Sequence, residues 1–274
     1  MAFEYITAST IEQATKKYAV TKAENRYPGY YAGGTEIITL RRINQLNVDV
    51  SIDIKQIAAC NLHHMDEDYF VIGYCITLTD IEELNYFPLL TEVCKEIADR
   101  TARNKITVGG NICGNIFYRE AVLPFLLTDS VMVLASENGI RTAFIHDVFE
   151  ERLLLQEGEL LVQAFIEKKY LSQEYLAIKV RQQWETGYPL ITIAALKVDG
   201  QIRVAISGLC PFPFRSFAIE RIINNHRINK EDRVAQVLNN LPSPILNDVE
   251  GSDEYRLFVL SDLLDKVINR LEGM

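Results

Sequence analysis

The sequence predicts an α+β protein, and three observations carry that reading. Short strand-like runs alternate with helical ones in the N-terminal part, two hairpin signals follow, and the last third is helical with apolar residues at three- and four-residue steps. Residues 3–6 read as a strand, and Thr10 then caps a helix from 11 to about 19. Tyr30 and Tyr31 run into the pair Gly33-Gly34 and on to the apolar residues 37–40, after which 51–54 is again strand-like. The order is strand, glycine turn, helix, strand. A third strand at 69–73 precedes Thr79-Asp80-Ile81-Glu82, a capping-box pattern, and a further helix covers about 89–98. Residues 122–128 are helix-like. Runs 131–135 and 140–143 flank Glu137-Asn138-Gly139, and runs 190–198 and 202–207 flank Asp199-Gly200, so each pair is an antiparallel hairpin. Beyond Pro211 and Pro213, helices are expected at 217–224, 230–239 and 254–271. In the last of these Leu257, Leu260, Leu264, Val267 and Leu271 form a stripe that would dock on the preceding strands. The composition shift at 168–171 marks the boundary between a domain 1–170, with subdomains of about 1–55 and 56–170, and a domain 171–274.

Composition removes several classes of function. The 274 residues carry 28 basic and 37 acidic side chains, a net charge of −9, and no Lys/Arg cluster, so nucleic acid is a poor partner. With 48% hydrophobic and 24% charged residues and no apolar run of membrane-spanning length, the chain reads as soluble, with no membrane partner. The N-terminus lacks the basic start and apolar middle of a secretory signal, which makes the cytoplasm the expected location. Cys60, Cys75, Cys94, Cys113 and Cys210 form no CxxC pair and have no histidine at ligand spacing, so they read as reduced thiols rather than a metal or iron–sulfur site. His63 and His64, in an expected loop, and the scattered His146 and His226 read as solvated. Trp184, the single tryptophan, is a candidate surface or interface residue.

Two glycine-bearing segments can hold a ligand. In Ala32-Gly33-Gly34-Thr35-Glu36 the glycines permit positive φ, so successive main-chain N–H groups can converge on an anion at a helix start; a tight turn into a helix needs the same glycines for steric reasons alone. Thr107-Val108-Gly109-Gly110-Asn111-Ile112-Cys113-Gly114-Asn115 can wrap a ligand as closely, or form a bulged connection. Neither is GxGxxG or ends in GK[ST], which disfavours Rossmann and P-loop sites.

Taken together, AGGTE followed by R-N-x-x-T-V-G-G-N at 103–111 resembles the FAD-binding (medium) subunit of the xanthine dehydrogenase and carbon monoxide dehydrogenase family of molybdenum hydroxylases. The likeness continues in Ile97-Ala98, in Leu123-Pro124 with Asp129, in Gly208 with Pro213-Phe214-Arg215, and in Glu254-Tyr255-Arg256 with the leucine stripe, and so covers nearly the whole chain. It implies the two-subdomain FAD-binding fold of the vanillyl-alcohol-oxidase (p-cresol methylhydroxylase) type plus a C-terminal antiparallel sheet with helices. It further implies an FAD diphosphate on the two glycine segments, held by Ala32, Gly33, Gly34, Thr35, Glu36 and Ile37 and by Thr107, Val108, Gly109, Gly110 and Asn111.

Where the family has Ser-Pro and then a cofactor-contacting Asp, this chain has residues 116–120. Glu120 stands at the matching distance from Asn111 and can replace the Asp; counting back from Pro124 places Ala121 there instead. Leu161 lies where the family packs an apolar residue near the flavin, a pattern that a core strand also gives. Lys179 and Arg181 match the family's K.R pair, whose cation would stabilise the reduced ring; otherwise they read as a solvated strand edge. The family's Asp before the following aromatic is Gly187 here.

The implied role is an electron-transfer subunit with no catalytic residue of its own. Electrons from a molybdopterin-binding large subunit would pass through the clusters of a [2Fe–2S] small subunit to FAD and on to an acceptor, NAD⁺. A stand-alone flavin reductase of the same fold and a flavin-free accessory protein are the alternatives.

Overall fold

The computed structural model describes residues 3–182 and 187–273; Trp184 lies outside the described residues. Along the chain run β1 (Glu4–Thr7), α1 (Ile11–Ala23), β2 (Pro28–Tyr31), α2 (Thr35–Arg42), β3 (Val50–Asp53), β4 (His63–Met65), β5 (Tyr69–Gly73), α3 (Leu78–Leu84), α4 (Pro88–Lys95), α5 (Arg100–Arg103), α6 (Val108–Cys113) and α7 (Leu123–Leu127). Then come β6 (Val131–Ser136), β7 (Gly139–Phe144), α8 (Ile145–Val148), β8 (Leu160–Glu167), β9 (Tyr175–Arg181), β10 (Pro189–Val198), β11 (Gln201–Ser207), β12 (Phe214–Arg215), α9 (Phe217–Ile223), α10 (Lys230–Leu238) and α11 (Asp253–Glu272).

The chain divides into two compact units. The first comprises residues 1–84, 100–114 and 129–167. In it β1-β3-β2 form a parallel sheet, joined by α1, whose start is capped by the Thr10 hydroxyl accepting from the Gln13 amide. A second sheet has the order β4-β5-β8-β6-β7 and is antiparallel throughout. One core serves both: Ala14, Val50 and Ile52 pack with Val133, Ala135, Leu160 and Val162, all removed from water. His63 and His64, expected in a loop, lie in edge strand β4, with His63 opposite Ile72. The capping box belongs two residues earlier than the sequence suggests, since Thr77 and Asp80 exchange side-chain to main-chain bonds at 3.1 Å in both directions.

The second unit comprises residues 85–99, 115–128 and 168–273 of the described chain. It differs from a contiguous C-terminal domain because it takes in α4 and α7, both expected in the first domain. Its antiparallel sheet, β12-β11-β10-β9, packs Ile191, Ile193 and Val204 against Leu260, Leu264, Val267 and Leu271 of α11. Strands β10 and β11 meet through Asp199 and Gly200 at φ +50° and +75°, a two-residue turn with left-handed geometry at both positions.

The borrowed helices are held by cations on the sheet. Lys179 donates to the Glu96 carbonyl at 2.6 Å and Arg181 donates to the same carbonyl, at the C-terminal end of α4. Arg203 and Arg215 donate to the Leu127 and Leu126 carbonyls at 2.7 Å each, at the end of α7. The last carbonyls of a helix have no intrahelical partner and carry its partial negative charge, so four basic side chains complete them.

Candidate functional site

The first glycine turn leaves the C-terminal end of β2 in the parallel sheet, the edge at which open parallel sheets place ligands. Gly34 has φ +73°, and a Cβ there would collide with the Tyr31 ring. Gly33 is required for a different reason: a Cβ on it would collide with the Lys105 carbonyl oxygen and come within 3.3 Å of the Thr107 nitrogen. The two glycine-bearing segments therefore lie directly against each other. Glu36 makes a second junction, because its carboxylate would lie 3.3 Å from a Cβ on Gly114, at the end of α6.

The two helix starts are finished differently. Thr107 caps α6, its hydroxyl accepting from the Gly110 amide at 3.0 Å, while Val108, Gly109 and Asn111 donate to the carbonyls of Ile76, Tyr74 and Thr107. The main-chain donors of residues 108–111 are thus engaged by acceptors of the first unit itself. Gly109 admits the close approach of Tyr74, whose Cβ would be 2.6 Å from one added to the glycine. Tyr74 is fixed in turn by donating its amide to the Val162 carbonyl, at the register shift where β8 bulges against β6. The start of α2 is capped by Gly34, which has no side chain to accept from the first-turn amides, and Thr35 is exposed there. Ala32, Glu36 and Ile37 are half-buried; Thr107, Val108, Gly109 and Asn111 are buried and Gly110 is exposed. An uncapped helix start beside a glycine turn is suited to an anion.

Leu161 is buried in β8 opposite Leu134, in the first unit. Glu120 and Lys179 belong to the second unit, and Lys179 is not the solvated strand-edge residue that one reading of the sequence makes it. They are 2% and 4% exposed at the side chain and bond to each other at 3.0 Å, and Glu120 also accepts from the Thr192 hydroxyl at 2.5 Å. Burial pushes the Lys179 ammonium below the ordinary lysine range, with Glu120 pulling in the opposite direction. A cleft of about 250 Å³ lined by Glu96, Ala177, Lys179 and Thr192 lies beside this pair in the second unit. Nothing in the spacing of residues 120, 179 and 192 shows that they meet; the alternation of β9 and β10 places Lys179 and Thr192 opposite each other once the strands pair.

Gly208 and Arg256, which carried part of the sequence resemblance, have structural roles. Gly208, at φ +84°, passes so close to β10 that a Cβ would be 2.9 Å from the Leu190 carbonyl. Arg256 is fully buried and donates to the carbonyls of Leu190 and Gly208 and to Asp248. Among the described residues, no group of three or more His, Cys, Asp or Glu is placed to hold a metal ion, and no helix is long and apolar enough to cross a membrane.

A glycine turn on a parallel sheet and an uncapped helix start lie together here with a second glycine segment against them, an arrangement that suits a phosphate. Residues 1–166 match the family described as the FAD binding domain in molybdopterin dehydrogenase, and the chain belongs to that family. The chain is 25% identical over 282 residues to the glyceraldehyde dehydrogenase medium chain of Sulfolobus acidocaldarius, covering 98% of each. It is 24% identical to the xanthine dehydrogenase FAD-binding subunit of Escherichia coli O157:H7, covering 90% of this chain and 89% of that one. In fold it is similar to a chain of the carbon monoxide dehydrogenase of Hydrogenophaga pseudoflava, with a TM-score of 0.87 at 21% identity over 99% of this chain and 97% of the other. The α+β architecture with its C-terminal antiparallel sheet is the fold of that dehydrogenase chain.

Proposed function

We propose that this chain is the FAD-binding electron-transfer subunit of a molybdenum hydroxylase. It works with a molybdopterin-binding large subunit and a [2Fe–2S] small subunit and passes electrons through FAD to NAD⁺. The observation that carries the reading is the uncapped start of α2 behind Gly33 and Gly34, in contact with the 105–107 main chain, within a domain whose family is defined by FAD binding. The names of its relatives, a medium chain and an FAD-binding subunit among them, support the partner assignment. Once bound, FAD supplies the redox chemistry, and the protein supplies placement and electrostatics.

Ala32 to Ile37 would hold the diphosphate through first-turn amides and the Thr35 hydroxyl, with Thr107 to Asn111 forming the opposing wall. Leu161, in the first unit, is a candidate for apolar contact with the flavin; Lys179 with Glu120, in the second unit, is a separate candidate that rests on the family resemblance. The Lys179 ammonium donates to the Glu96 carbonyl and to Glu120, which leaves it one further N–H to offer. A family fit at the glycine turn with no ligand-spaced cysteines in the chain suits a division of labour in which the clusters sit on another subunit.

The test is FAD uptake by the purified full chain, read as flavin absorbance that co-elutes with the protein, followed by co-purification with the two partner subunits. One FAD per chain is expected, and Gly33→Ala should lose it while the second unit stays folded. A folded wild-type chain that takes up no FAD, alone or with its partners, would remove this reading.

A further inference from the structure

Lys55, just past β3, has no place in the cofactor site described so far. Its ammonium is 2.8 Å from Asp53, 3.3 Å from the Ala32 carbonyl oxygen and 4.4 Å from the centre of the Tyr31 ring. Asp53 is itself fixed: it is buried, it accepts from the Tyr5 hydroxyl and from the Lys55 amide at 2.9 Å, and it pairs with Tyr31 in the parallel register. The Tyr5 ring meets Tyr31 edge-on at 5.6 Å, and Tyr31 fills the space beside Gly34. Side chains from β1, β2 and β3 thus converge beneath the glycine turn, and the Lys55 ammonium is where they reach its main chain.

The Ala32 carbonyl and the Gly33 N–H belong to one peptide plane and point to opposite sides of it. A donor held on the carbonyl fixes the direction of that N–H and polarises it, at a place where glycine would otherwise leave the peptide loosely determined. Asp53, at 2.8 Å, offsets most of the lysine charge at longer range. Orientation therefore outweighs long-range attraction.

We propose that Lys55 is a positioning residue for the first glycine turn: by holding the Ala32 carbonyl it presents the Gly33 N–H to a diphosphate. This rests on the reading that the diphosphate of FAD binds there, and it adds a residue that does not touch the ligand. The Asp53 carboxyl agrees with a charged pair. Burial works to raise it, but its bonds to Lys55 and Tyr5 prevail and hold it below the ordinary carboxylate range.

The test uses the full chain with FAD and with ADP, which carries the diphosphate without the flavin. Lys55→Met should weaken both ligands by the same factor, about tenfold or more, as expected for losing an oriented hydrogen bond to a charged group. It should also shift the Gly33 amide resonance of the free protein. Lys55→Arg should restore affinity to within about threefold, because it keeps a donor for the carbonyl. Lys22→Met, which removes an exposed charge paired with Glu157 elsewhere on the first unit, should change neither ligand. If Lys55→Met does not melt cooperatively, Tyr5→Phe carries the test; it releases Asp53 and should weaken both ligands about threefold. Wild-type affinity in Lys55→Met, or an equal loss in Lys22→Met, overturns the proposal. A wild-type chain that binds no FAD defeats the functional reading instead, and the two failures are distinguishable.

Discussion

Lys179 and Glu120 show what a single buried pair can demand. Each is almost removed from water, so deleting one partner leaves the other uncompensated, at a cost of about 3–5 kcal/mol. Lys179→Met and Glu120→Gln are each expected to lower stability in urea by roughly that amount, and the double variant by much less than the sum. Strict additivity in that cycle would mean that the two groups do not interact. The glycines at 33 and 34 were legible in the sequence because a positive φ and a close approach leave a residue-type signature. The Lys179–Glu120–Thr192 cluster was not, because its members are 59 and 72 positions apart and no local pattern records a contact of that range. Lys55 was silent for the same reason: a lysine after a strand is usually solvated, and only the pairing of β2 with β3 brings it beneath the turn.

At the level of elements, periodic patterns and turn chemistry transferred well. The β10–β11 hairpin and the α11 stripe stand where Asp199-Gly200 and the leucine spacing put them, since both signals act within a few residues. The stripe has an inner and an outer part. Leu264 is fully buried, whereas Leu257 is only half-buried and its neighbour Arg256 turns inward to the carbonyls of Leu190 and Gly208. Leu264→Ala should therefore cost about 2–5 kcal/mol in denaturant titration, by lost transfer energy plus an unfilled cavity, and Leu257→Ala distinctly less. Equal losses would show that α11 is not seated on the sheet by that face. Arg256 could not be read from the pattern, because an arginine in a helix of mixed polarity looks like an exposed residue until its acceptors are seen.

For the molecule as a whole, the main departure from the sequence reading is the ownership of α4 and α7. The family match ends at residue 166, yet these helices lie in the second compact unit, with Lys179, Arg181, Arg203 and Arg215 on their C-terminal carbonyls. A fragment of residues 1–167 should consequently fold poorly, because α4 and α7, with Leu89, Leu90, Val93, Leu123, Phe125 and Leu126 buried in the full chain, pack on β9, β10, β11 and β12, which the fragment lacks. Dye binding and aggregation of the fragment alone, with recovery when 168–274 is co-expressed, are the expected results; a fragment that is monomeric and melts cooperatively by itself would contradict this division.

The threading of those two helices also sets an order of events during translation. Their apolar faces emerge from the ribosome before the strands that cover them have been synthesised, so the nascent chain carries two sticky segments through the making of β9, β10 and β11. Chaperone demand should peak in that interval, and synonymous changes that slow elongation after residue 128 should lower the yield of folded protein more than those placed after residue 215.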